Sequence, residues 1–328
     1  MFDGKIIFIT GGTGTLGSFF VEEILKSSCR KIIVFSRDED KHFQMQNTFN
    51  DDRLEFIIGD IRNYQLLCSS LVDVDIVIHT AAIKQVPIAE KNPIEATLTN
   101  IIGTNNIISA SILCKVKKVV YISSDKAVYP ANCMGMSKGI AERLVKSNRA
   151  KETDIVAIRL GNVLGSRGSI IPLWMKQVKN GGPLTLTNGE MTRFIMTKSD
   201  VYELLLHSIN CGKNGEIIVA PMSVCKISDL AISFCEHFNL EFSKDFKIIG
   251  LRPGEKLYEE LFSQEDLDFV YYNDSYFHIS NIRQSNRLHI FCSSADYNPI
   301  TVSEITHILE SSNIYNNRGK ELCLSILH

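Results

Sequence analysis

The residues best suited to chemistry lie at 123–138, directly after an apolar run at 119–122. Asp125 and Lys126 place a carboxyl group next to an amine, and two serines precede them. A desolvated pair of this kind can exchange protons with a substrate. On an ordinary loop the same pair is a solvated salt bridge of little energetic value. Because the pair follows a strand-like run, we favour a catalytic role.

The composition indicates a globular protein without a strong charge bias. Of 328 residues, 45% are hydrophobic, and 35 basic against 37 acidic side chains give a formal net charge of −2. General nucleic-acid binding and a polybasic membrane anchor are therefore not expected. The nine cysteines show no CxxC or metal-type spacing, which favours a reducing cytoplasm over a secreted disulfide framework. We expect neither a signal peptide nor a membrane-spanning helix.

The first half of the chain alternates strand-like and helix-like patterns. Apolar, β-branched runs predict strands buried on both faces. These runs lie at 5–10, 31–36, 54–58, 74–80, 117–124 and 154–160. Helix-length segments such as 18–27 separate them. The alternation predicts right-handed βαβ crossovers, and hence an α/β protein with a doubly wound parallel Rossmann sheet.

A glycine-rich loop follows the first predicted strand and opens the first predicted helix. Glycines at 11, 14 and 17 permit a tight turn and the close approach of a pyrophosphate to a helix N-terminus. This strand-turn-helix context favours a dinucleotide site over a simple glycine-rich turn. The expected cofactor contacts in the loop are Gly11, Thr13, Gly14, Thr15, Leu16 and Gly17.

The end of the second predicted strand bears on the choice of cofactor. An NAD site usually places an acid here on the ribose 2′-hydroxyl, whereas Ser36 and Arg37 come first and suit a 2′-phosphate. We therefore favour NADP. In the alternative, Arg37 is a solvated surface residue and Asp38 binds NAD. Ligands sit at the carboxyl ends of parallel strands. Four further contacts are expected there, at Asp60, Ile61, Ala81 and Ala82.

The regular alternation ends near Gly161, where glycine-rich loops begin. We expect an NADP-binding Rossmann domain over 1–165 and a smaller α+β, mostly substrate-binding domain over 166–328. A helical pattern near 192–220 is expected to pack back on the first domain.

Several motifs together carry a family resemblance. They are TGGTGTLG at 10–17, SRDE at 36–39, GDIR at 59–62, HTAAIKQVP at 79–87, SDKAV at 124–128, GNVLGSRGS at 161–169, TRF at 192–194 and RPGEKL at 252–257. With Lys138, this set resembles the extended short-chain dehydrogenases/reductases that act on nucleotide sugars. More narrowly, it resembles the UDP-N-acetylglucosamine 4,6-dehydratases, including members that invert C5 and feed capsule, O-antigen or flagellar sugar pathways.

The resemblance implies a hydro-lyase with tightly bound NADP. In such enzymes a hydride passes from sugar C4 to NADP⁺, the 4-ketone acidifies the C5 proton, water leaves from C6, and the hydride returns to C6. The product is a UDP-4-keto-6-deoxy-hexosamine derivative. The resemblance also implies a UDP-sugar partner, with UDP-GlcNAc as substrate, and a homo-oligomer.

The family's usual Tyr-x-x-x-Lys pair is altered here, because position 134 is methionine and a thioether cannot take a proton. Some of these dehydratases resemble the chain in this respect, and the base for the C4 hydroxyl stays open. We assign the main base to Lys126, whose pKa should fall in a desolvated pocket near the nicotinamide and Lys138. Asp125 is expected to protonate the departing C6 oxygen, and Ser124 to contact the C4 oxygen. Lys138 is expected to bind the nicotinamide ribose.

Substrate contacts are expected mainly in the second half of the chain. Arginine suits a diphosphate or a nucleotide edge, and a glutamate can accept from a ribose hydroxyl. Together with Lys126, the expected substrate contacts are Asn162, Arg193, Arg252 and Glu255. Arg167 is expected to face either the cofactor or a neighbouring subunit. The resemblance further implies cofactor contacts at Lys84, Ser123, Met134, Lys138 and Val163.

Other chemically notable residues are expected to have structural roles. His79 ends an apolar strand and should be packed and hydrogen-bonded; the other histidines show no clustering, so no metal is expected. Tyr129 has no helical register with Lys138, which argues against a replacement phenol. Cys133 should form a wall of the site rather than a nucleophile. Trp174 should serve packing or a subunit contact.

Two other functions fit the sequence. A nucleotide-sugar 4-epimerase or 4-reductase needs only hydride chemistry at C4, and the Asp125-Lys126 pair argues against it. A catalytically silent protein that senses NADP or a nucleotide sugar is compatible with Met134.

Overall fold

The computed structural model describes residues 1–315. This part of the chain forms two compact units. The first comprises Met1–Leu160, Tyr202–Pro221 and Phe262–His289, and the second comprises Gly161–Val201, Met222–Leu261 and residues 290–315. Residues 316–328 of the predicted second domain lie outside the described part. Among the described residues, none of the helices has the length and apolar character needed to cross a bilayer.

Strands and helices are numbered in chain order. The strands are β1 (Ile6–Thr10), β2 (Lys31–Ser36), β3 (Leu54–Ile58), β4 (Ile76–His79), β5 (Lys118–Ser124), β6 (Asp154–Leu160), β7 (Asn162–Val163), β8 (Leu184–Leu186), β9 (Thr192–Met196), β10 (Ile217–Val219), β11 (Ser223–Lys226), β12 (Phe246–Ile248), β13 (Val270–Asn273) and β14 (Tyr276–Ile279). The α-helices are α1 (Thr15–Leu25), α2 (Glu39–Phe49), α3 (Tyr64–Ser70), α4 (Val86–Lys91), α5 (Pro93–Ala96), α6 (Thr104–Leu113), α7 (Cys133–Ser147), α8 (Ile170–Lys179), α9 (Lys198–Cys211), α10 (Ile227–Phe238), α11 (Phe242–Asp245) and α12 (Val302–Ser311). A π-helical segment, Thr97–Gly103, joins α5 to α6, and a 3₁₀ turn, Asp125–Ala127, follows β5.

The first unit is built on a nine-stranded sheet with the order β13-β14-β10-β6-β5-β4-β1-β2-β3. Strands β1 to β6 and β10 run parallel to one another, and β14 and β13 continue the sheet antiparallel. The predicted doubly wound parallel Rossmann sheet is therefore confirmed. The six predicted strands correspond to β1–β6, with differences at the ends of no more than two residues.

Burial explains why the central strands could be recognised. All five residues of β1 and all four of β4 are buried, as expected for strands covered on both faces. Helix α1 begins at Thr15 rather than at residue 18, because the glycine loop leads directly into its first turn. The helix buries Phe20, Val21 and Ile24.

The second unit contains a three-stranded sheet, β11-β9-β7, and a two-stranded sheet, β12-β8. Its core includes Trp174, which has no exposed surface. The Trp174 ring lies 5.4 Å from the Phe234 ring and 5.0 Å from the Phe246 ring, and its Nε1 donates to the carbonyl of Thr185 at 2.8 Å. The predicted packing role of Trp174 is confirmed.

Candidate active site

The glycine loop connects β1 to α1 and leaves no room for side chains at two positions. Gly11 has φ +64°, and a Cβ there would lie 2.9 Å from the backbone nitrogen of Ala81. A Cβ on Gly17 would lie 2.5 Å from the carbonyl oxygen of Gly11 and 2.6 Å from Cα of Gly12. The first glycine therefore permits a left-handed turn, and the last lets the helix pack on the loop. The N-terminal turn of α1 directs its backbone N–H groups and helix dipole at this loop.

Ser36 ties the glycine loop to the end of β2. Its Oγ lies 3.0 Å from Oγ1 of Thr13 and 2.7 Å from Nε2 of His42. The backbone N–H of Gly11 donates to the carbonyl of Phe35 at 2.8 Å. The first two strands thus hold the predicted cofactor residues at one edge of the sheet.

The two charged residues after β2, Arg37 and Asp38, make different contacts. Asp38 caps α2 by accepting from the backbone N–H of Lys41 at 3.1 Å, and it also pairs with the Lys41 ammonium. The Arg37 side chain is 59% exposed, and its Nη1 lies 3.7 Å from Oδ2 of Asp60. The Asp38 carboxylate is engaged by the helix, whereas Arg37 presents a guanidinium at the surface.

Asp60 and Ile61 follow β3, as predicted. Asp60 accepts from the backbone N–H of Arg62 at 2.9 Å and from its Nη2 at 2.6 Å. Burial alone raises the pKa of Asp60, but the hydrogen bonds and charge of Arg62, with Arg37, hold it below its usual value. Ile61 is buried, and a Cβ on Gly103 would lie 2.5 Å from its Cδ1. The π-helical segment therefore approaches the end of β3 closely.

The loop after β4 is fixed by one asparagine. Asn100 accepts from the backbone N–H of Ile83 at 2.8 Å and donates to its carbonyl at 2.9 Å. Ala81 donates its N–H to the threonine hydroxyl at the end of β1 at 3.2 Å. Ala82 and Lys84 flank Ile83, with Lys84 exposed. The sequence did not predict a role for Asn100, whose side chain holds this loop by binding the backbone of Ile83.

The Ser124-Asp125-Lys126 turn contains the most unusual carboxyl group of the site. Asp125 has no exposed surface, and its Oδ1 accepts from Oγ of Ser124 at 2.8 Å and from Nζ of Lys126 at 3.1 Å. Its Oδ2 is buried and has no hydrogen-bond partner among the described residues. Such an oxygen is rare, because an unmet buried polar atom is destabilising. A solvated salt bridge does not describe this pair, since the Lys126 side chain is only 22% exposed.

Helix α7 packs closely on this turn. Asn132 caps the helix by accepting from the N–H of Gly135 at 2.8 Å. A Cβ on Gly135 would collide with the carbonyl oxygen of Lys126, so a glycine is required for this approach. Met134 is 4% exposed and packs with Ala89 and Ala96. The thioether therefore lies in an apolar cluster beside the turn.

Lys138 lies one helical turn beyond Met134 and is buried. Its Nζ donates to the carbonyl of Ile122 at 2.7 Å and lies 4.7 Å from the centroid of the Tyr121 ring. Burial lowers the pKa of Lys138 to about 8, against the opposing effect of the Glu142 charge. An ammonium has three donors. Among residues 1–315 the Ile122 carbonyl takes one of these donors, and the others can reach a ligand.

Neither neighbouring candidate replaces the missing tyrosine. Burial and a hydrogen bond to Glu90 raise the pKa of the Cys133 thiol, which disfavours a thiolate. Tyr129 has φ +42°, and its hydroxyl accepts from the backbone N–H of Gln264 at 2.8 Å. These contacts agree with the structural roles expected for both residues.

A buried charge network behind the turn was not predicted. Glu142 Oε1 accepts from Oγ of Ser123 at 2.6 Å and from Nε of Arg159 at 3.0 Å, and its Oε2 accepts from Nη2 of Arg159 at 2.7 Å. Nη1 of Arg159 also donates to Asp266 at 3.1 Å. The network joins α7 to β5 and β6. One available signal was the spacing of Glu142, which follows Lys138 by one helical turn.

His79 is packed and hydrogen-bonded, as predicted. Its Nδ1 lies 2.6 Å from Oγ1 of Thr10, and its Nε2 lies 3.0 Å from Oγ1 of Thr104. Burial, with a smaller effect of the Lys138 charge, lowers the pKa of His79 to about 3. The imidazole is therefore neutral at neutral pH.

We expect His79 to make the protein acid-sensitive. The unfolded chain protonates this ring near pH 6.5, whereas the folded protein does so only near pH 3. The stability is fully present above pH 6.5 and is lost as the pH falls toward 3. Between pH 7 and pH 4 the wild type should lose about 3 kcal/mol more than His79→Asn. Urea unfolding of both proteins at the two pH values measures this difference, and equal losses would contradict the assignment.

The predicted substrate residues lie in the second unit, apart from Lys126. Asn162 and Val163 form β7, which pairs with Ile195 and Met196 of β9. Arg167 is exposed in the loop between β7 and α8.

Arg193 is buried, and its guanidinium binds backbone carbonyls. Nη1 donates to the carbonyls of Thr192 and Leu257 at 2.8 and 3.1 Å, and Nη2 donates to that of Lys256 at 2.7 Å. Arg193 therefore holds the loop that carries Arg252 and Glu255. Its contact with a substrate stays a prediction.

Arg252 and Glu255 are brought together within that loop. Glu255 Oε2 accepts from the backbone N–H of Arg252 at 3.0 Å, and Nη1 of Arg252 lies 3.9 Å from Glu255 Oε1. Gly254 between them has φ +79°, a conformation that favours glycine. The Arg252 side chain is 44% exposed. Both charged groups thus lie on one tight turn.

The residues of the first unit fit a dinucleotide cofactor. The loop at Gly11 and Gly17 has no space for side chains at these two positions. The Lys138 ammonium uses one of its three donors on the Ile122 carbonyl. Arg37 presents an exposed guanidinium at the end of β2, the strand next to β1. Such a loop accommodates a pyrophosphate, and such an arginine accommodates a 2′-phosphate.

The parallel sheet, the glycine loop after β1 and the polar turn after β5 define a Rossmann-like α/β protein. The model of the polysaccharide biosynthesis protein family matches residues 7–281. The chain belongs to this family.

Similar proteins include both epimerases and dehydratases. A UDP-glucose 4-epimerase from Rickettsia prowazekii is 43% identical over 275 residues, which cover 81% of this chain and 80% of the relative. The structure of Pen from Bacillus thuringiensis superimposes with a TM-score of 0.91 at 37% identity, covering 96% of this chain and 99% of that one. The dTDP-glucose 4,6-dehydratase DesIV from Streptomyces venezuelae, with NAD and TYD bound, shares the fold at a TM-score of 0.75 and 20% identity, covering 96% and 98% of the two chains.

Proposed function

We propose that the chain is an NADP-dependent UDP-N-acetylglucosamine 4,6-dehydratase that makes a UDP-4-keto-6-deoxy sugar for polysaccharide synthesis. The observation that carries this proposal is the Asp125 carboxyl group. It is buried, bonded through one oxygen to Ser124 and Lys126, and unpartnered at the other oxygen within the described residues. Elimination of water needs an acid and a base at neighbouring carbons, and this turn provides both.

The roles of the three residues follow from their contacts. NADP, when bound, supplies the hydride acceptor and donor. Lys126 takes the C4 hydroxyl proton through Nζ and passes it to Asp125, and the neutral amine then takes the C5 proton. Asp125 delivers its proton to the departing C6 hydroxyl, which leaves as water. Lys126 returns the other proton to C5 once the hydride is on C6. The 3.1 Å contact between Nζ of Lys126 and Oδ1 of Asp125 provides a path for returning a proton from the amine to the carboxyl group. Ser124 donates to the same carboxyl group at 2.8 Å and so fixes its orientation.

The residue at position 134 supports this division of roles. Met134 is buried in an apolar cluster and has no titratable group. The proton of the C4 hydroxyl must therefore pass to another group, and Lys126 is the titratable amine of the adjoining turn. Lys138 holds its place through the carbonyl of Ile122, which suits an anchor for the cofactor ribose.

A nucleotide-sugar 4-epimerase is the second candidate, and the similarity to the rickettsial epimerase favours it. Epimerisation at C4 needs hydride transfer and one proton acceptor. Epimerisation does not require a second acid–base group such as the buried Asp125 carboxyl. The Asp125 geometry therefore favours dehydration.

Mass spectrometry of the purified protein with NADP⁺ and UDP-GlcNAc tests the proposal. We expect a product lighter than the substrate by one water, and NMR of that product gives its C5 configuration. An isomer of unchanged mass, from UDP-GlcNAc or from UDP-glucose, would support the epimerase instead. Unreacted substrate with tight NADP binding would support a silent sensing protein.

Arg37 should decide the cofactor preference. Loss of one charge-assisted hydrogen bond, about 1.5–3 kcal/mol, should weaken NADP⁺ binding by Arg37→Ala about 10- to 100-fold. Binding of NAD⁺, which lacks the 2′-phosphate, should be unchanged. Calorimetric titration with both cofactors measures this, and Arg30→Ala is the control because Arg30 is exposed elsewhere. Equal losses for NADP⁺ and NAD⁺ would refute the 2′-phosphate role.

A further inference from the structure

A second polar cluster lies in the first unit, where α9 meets the β13–β14 hairpin. One ligand atom from each of His207, Cys211 and Asp274 lies within 4.8 Å of the others. His207 and Cys211 are four residues apart on α9 and therefore share a face. Asp274 occupies the hairpin turn with φ +46° and is exposed. The expectation that the histidines do not cluster is wrong, because Nε2 of His207 lies 2.8 Å from Nε2 of His278.

A hydrogen-bonded chain behind His207 sets its orientation and tautomer. Nδ1 of the buried His278 lies 3.0 Å from Oε2 of Glu216, and Glu216 also accepts from the Tyr271 hydroxyl at 2.7 Å. Burial alone raises the pKa of Glu216, but these bonds and one from the Lys213 N–H hold it below its usual value.

The ionised Glu216 fixes the protons along this chain. Glu216 accepts a hydrogen bond from Nδ1 of His278, and in a neutral His278 ring Nε2 then accepts while Nε2 of His207 donates. Nδ1 of His207 is then an unprotonated ring nitrogen. Metal-binding histidines usually have this pattern, with the second nitrogen donating into a chain that ends on a carboxylate.

The donor set identifies the class of metal. An imidazole nitrogen, a thiolate and a carboxylate suit Zn²⁺, which often takes three protein ligands and one water. Bonds of about 2.0–2.3 Å in a tetrahedral site require ligand atoms about 3.5 Å apart, so this cluster must contract by about 1 Å. The exposed Asp274 side chain on its turn can supply much of that movement.

We propose that His207, Cys211 and Asp274 form a Zn²⁺ site, with His278 and Glu216 as its supporting layer. The ion would connect α9 to the turn between β13 and β14. The Tyr276 ring, stacked on His207 at 4.1 Å, covers one side of the imidazole. This site shares no residue with the proposed dehydratase site, so either proposal can fail without the other.

Titration of the reduced, full-length protein with Co²⁺ and then Zn²⁺ tests the site. We expect saturable binding of one Co²⁺ per chain, a thiolate-to-cobalt charge-transfer band, and displacement of Co²⁺ by Zn²⁺. Cys211→Ser should abolish the band. Asp274→Asn, at an exposed turn that tolerates the change, should weaken Zn²⁺ binding at least tenfold. His278→Gln should weaken it about 10- to 100-fold, as is usual for a supporting residue.

The matched control is Cys68→Ser, which removes another half-buried helical cysteine outside the cluster. It should bind Co²⁺ as the wild type does and keep the band. Zn²⁺ should also raise the Tm of the wild type and of Cys68→Ser, but much less that of Asp274→Asn. The proposal is overturned if the wild type shows no saturable binding. It is equally overturned if Cys211→Ser keeps the band, or if Asp274→Asn retains full affinity.

Discussion

Replacing Lys126 with alanine should lower the rate of water loss from UDP-GlcNAc by about 10²–10⁴-fold, the usual contribution of a general acid–base group. The Lys126 ammonium contacts the buried Asp125 carboxyl group at 3.1 Å, and Met134 cannot take over the proton. NADP should remain bound, because the glycine loop and Lys138 belong to other elements. Product formation by mass spectrometry gives kcat and KM. Cofactor released on denaturation gives occupancy.

Two further variants separate proton transfer from charge. Lys126→Arg keeps a positive charge but cannot lose its proton near neutral pH, so it should be nearly as inactive as the alanine variant. Lys179→Ala, at an exposed lysine of α8, should behave as the wild type. Near-full activity of Lys126→Ala would refute the assigned role. Recovery of activity in Lys126→Arg would assign the residue an electrostatic role instead.

The central sheet could be predicted because its information is local. Each of β1 to β6 is a short apolar run, and burial on both faces removes the polar alternation that obscures other strands. Strands β10, β13 and β14 have only three or four residues, and β14 pairs with a strand nearly sixty positions earlier. Three or four residues are too few to show a recognisable strand pattern. The pairing of β14 with β10 forms only in the folded sheet, so the sequence does not indicate it.

The candidate site divides in the same way. The glycine loop and the Ser124-Asp125-Lys126 turn are consecutive residues, so spacing alone indicates them. Arg159 and Asp266 are 107 positions apart, and His207 and His278 are 71 apart, so only the fold reveals these contacts.

A matching motif did not describe what Arg193 does in the fold. Its position in the TRF motif implied a substrate contact. The guanidinium donates to three backbone carbonyls, a role in the fold that a sequence motif cannot specify. The substrate contact stays a prediction.

Glu142→Ala should lower the free energy of unfolding by about 3 kcal/mol. Removing one partner of a buried ion pair usually costs about 3–5 kcal/mol, and the lower value applies because Asp266 still pairs with Arg159. The substitution also removes the acceptor of the Ser123 hydroxyl at the end of β5. Since Glu142 joins α7 to β5 and β6, NADP⁺ binding should weaken as well. Urea unfolding and cofactor titration measure the two effects.

Glu142→Gln separates the charge from the hydrogen bonds. Its side-chain oxygen can still accept from Ser123 or Arg159, so the loss of stability should be clearly smaller than with alanine. Glu152→Ala, at an exposed glutamate before β6, should change stability by less than about 0.5 kcal/mol. If Glu142→Ala were as mild as Glu152→Ala, the network would not anchor α7. If Glu142→Gln and Glu142→Ala were equally destabilised, the charge on Glu142, and not its hydrogen-bond geometry, would hold Arg159 in the interior.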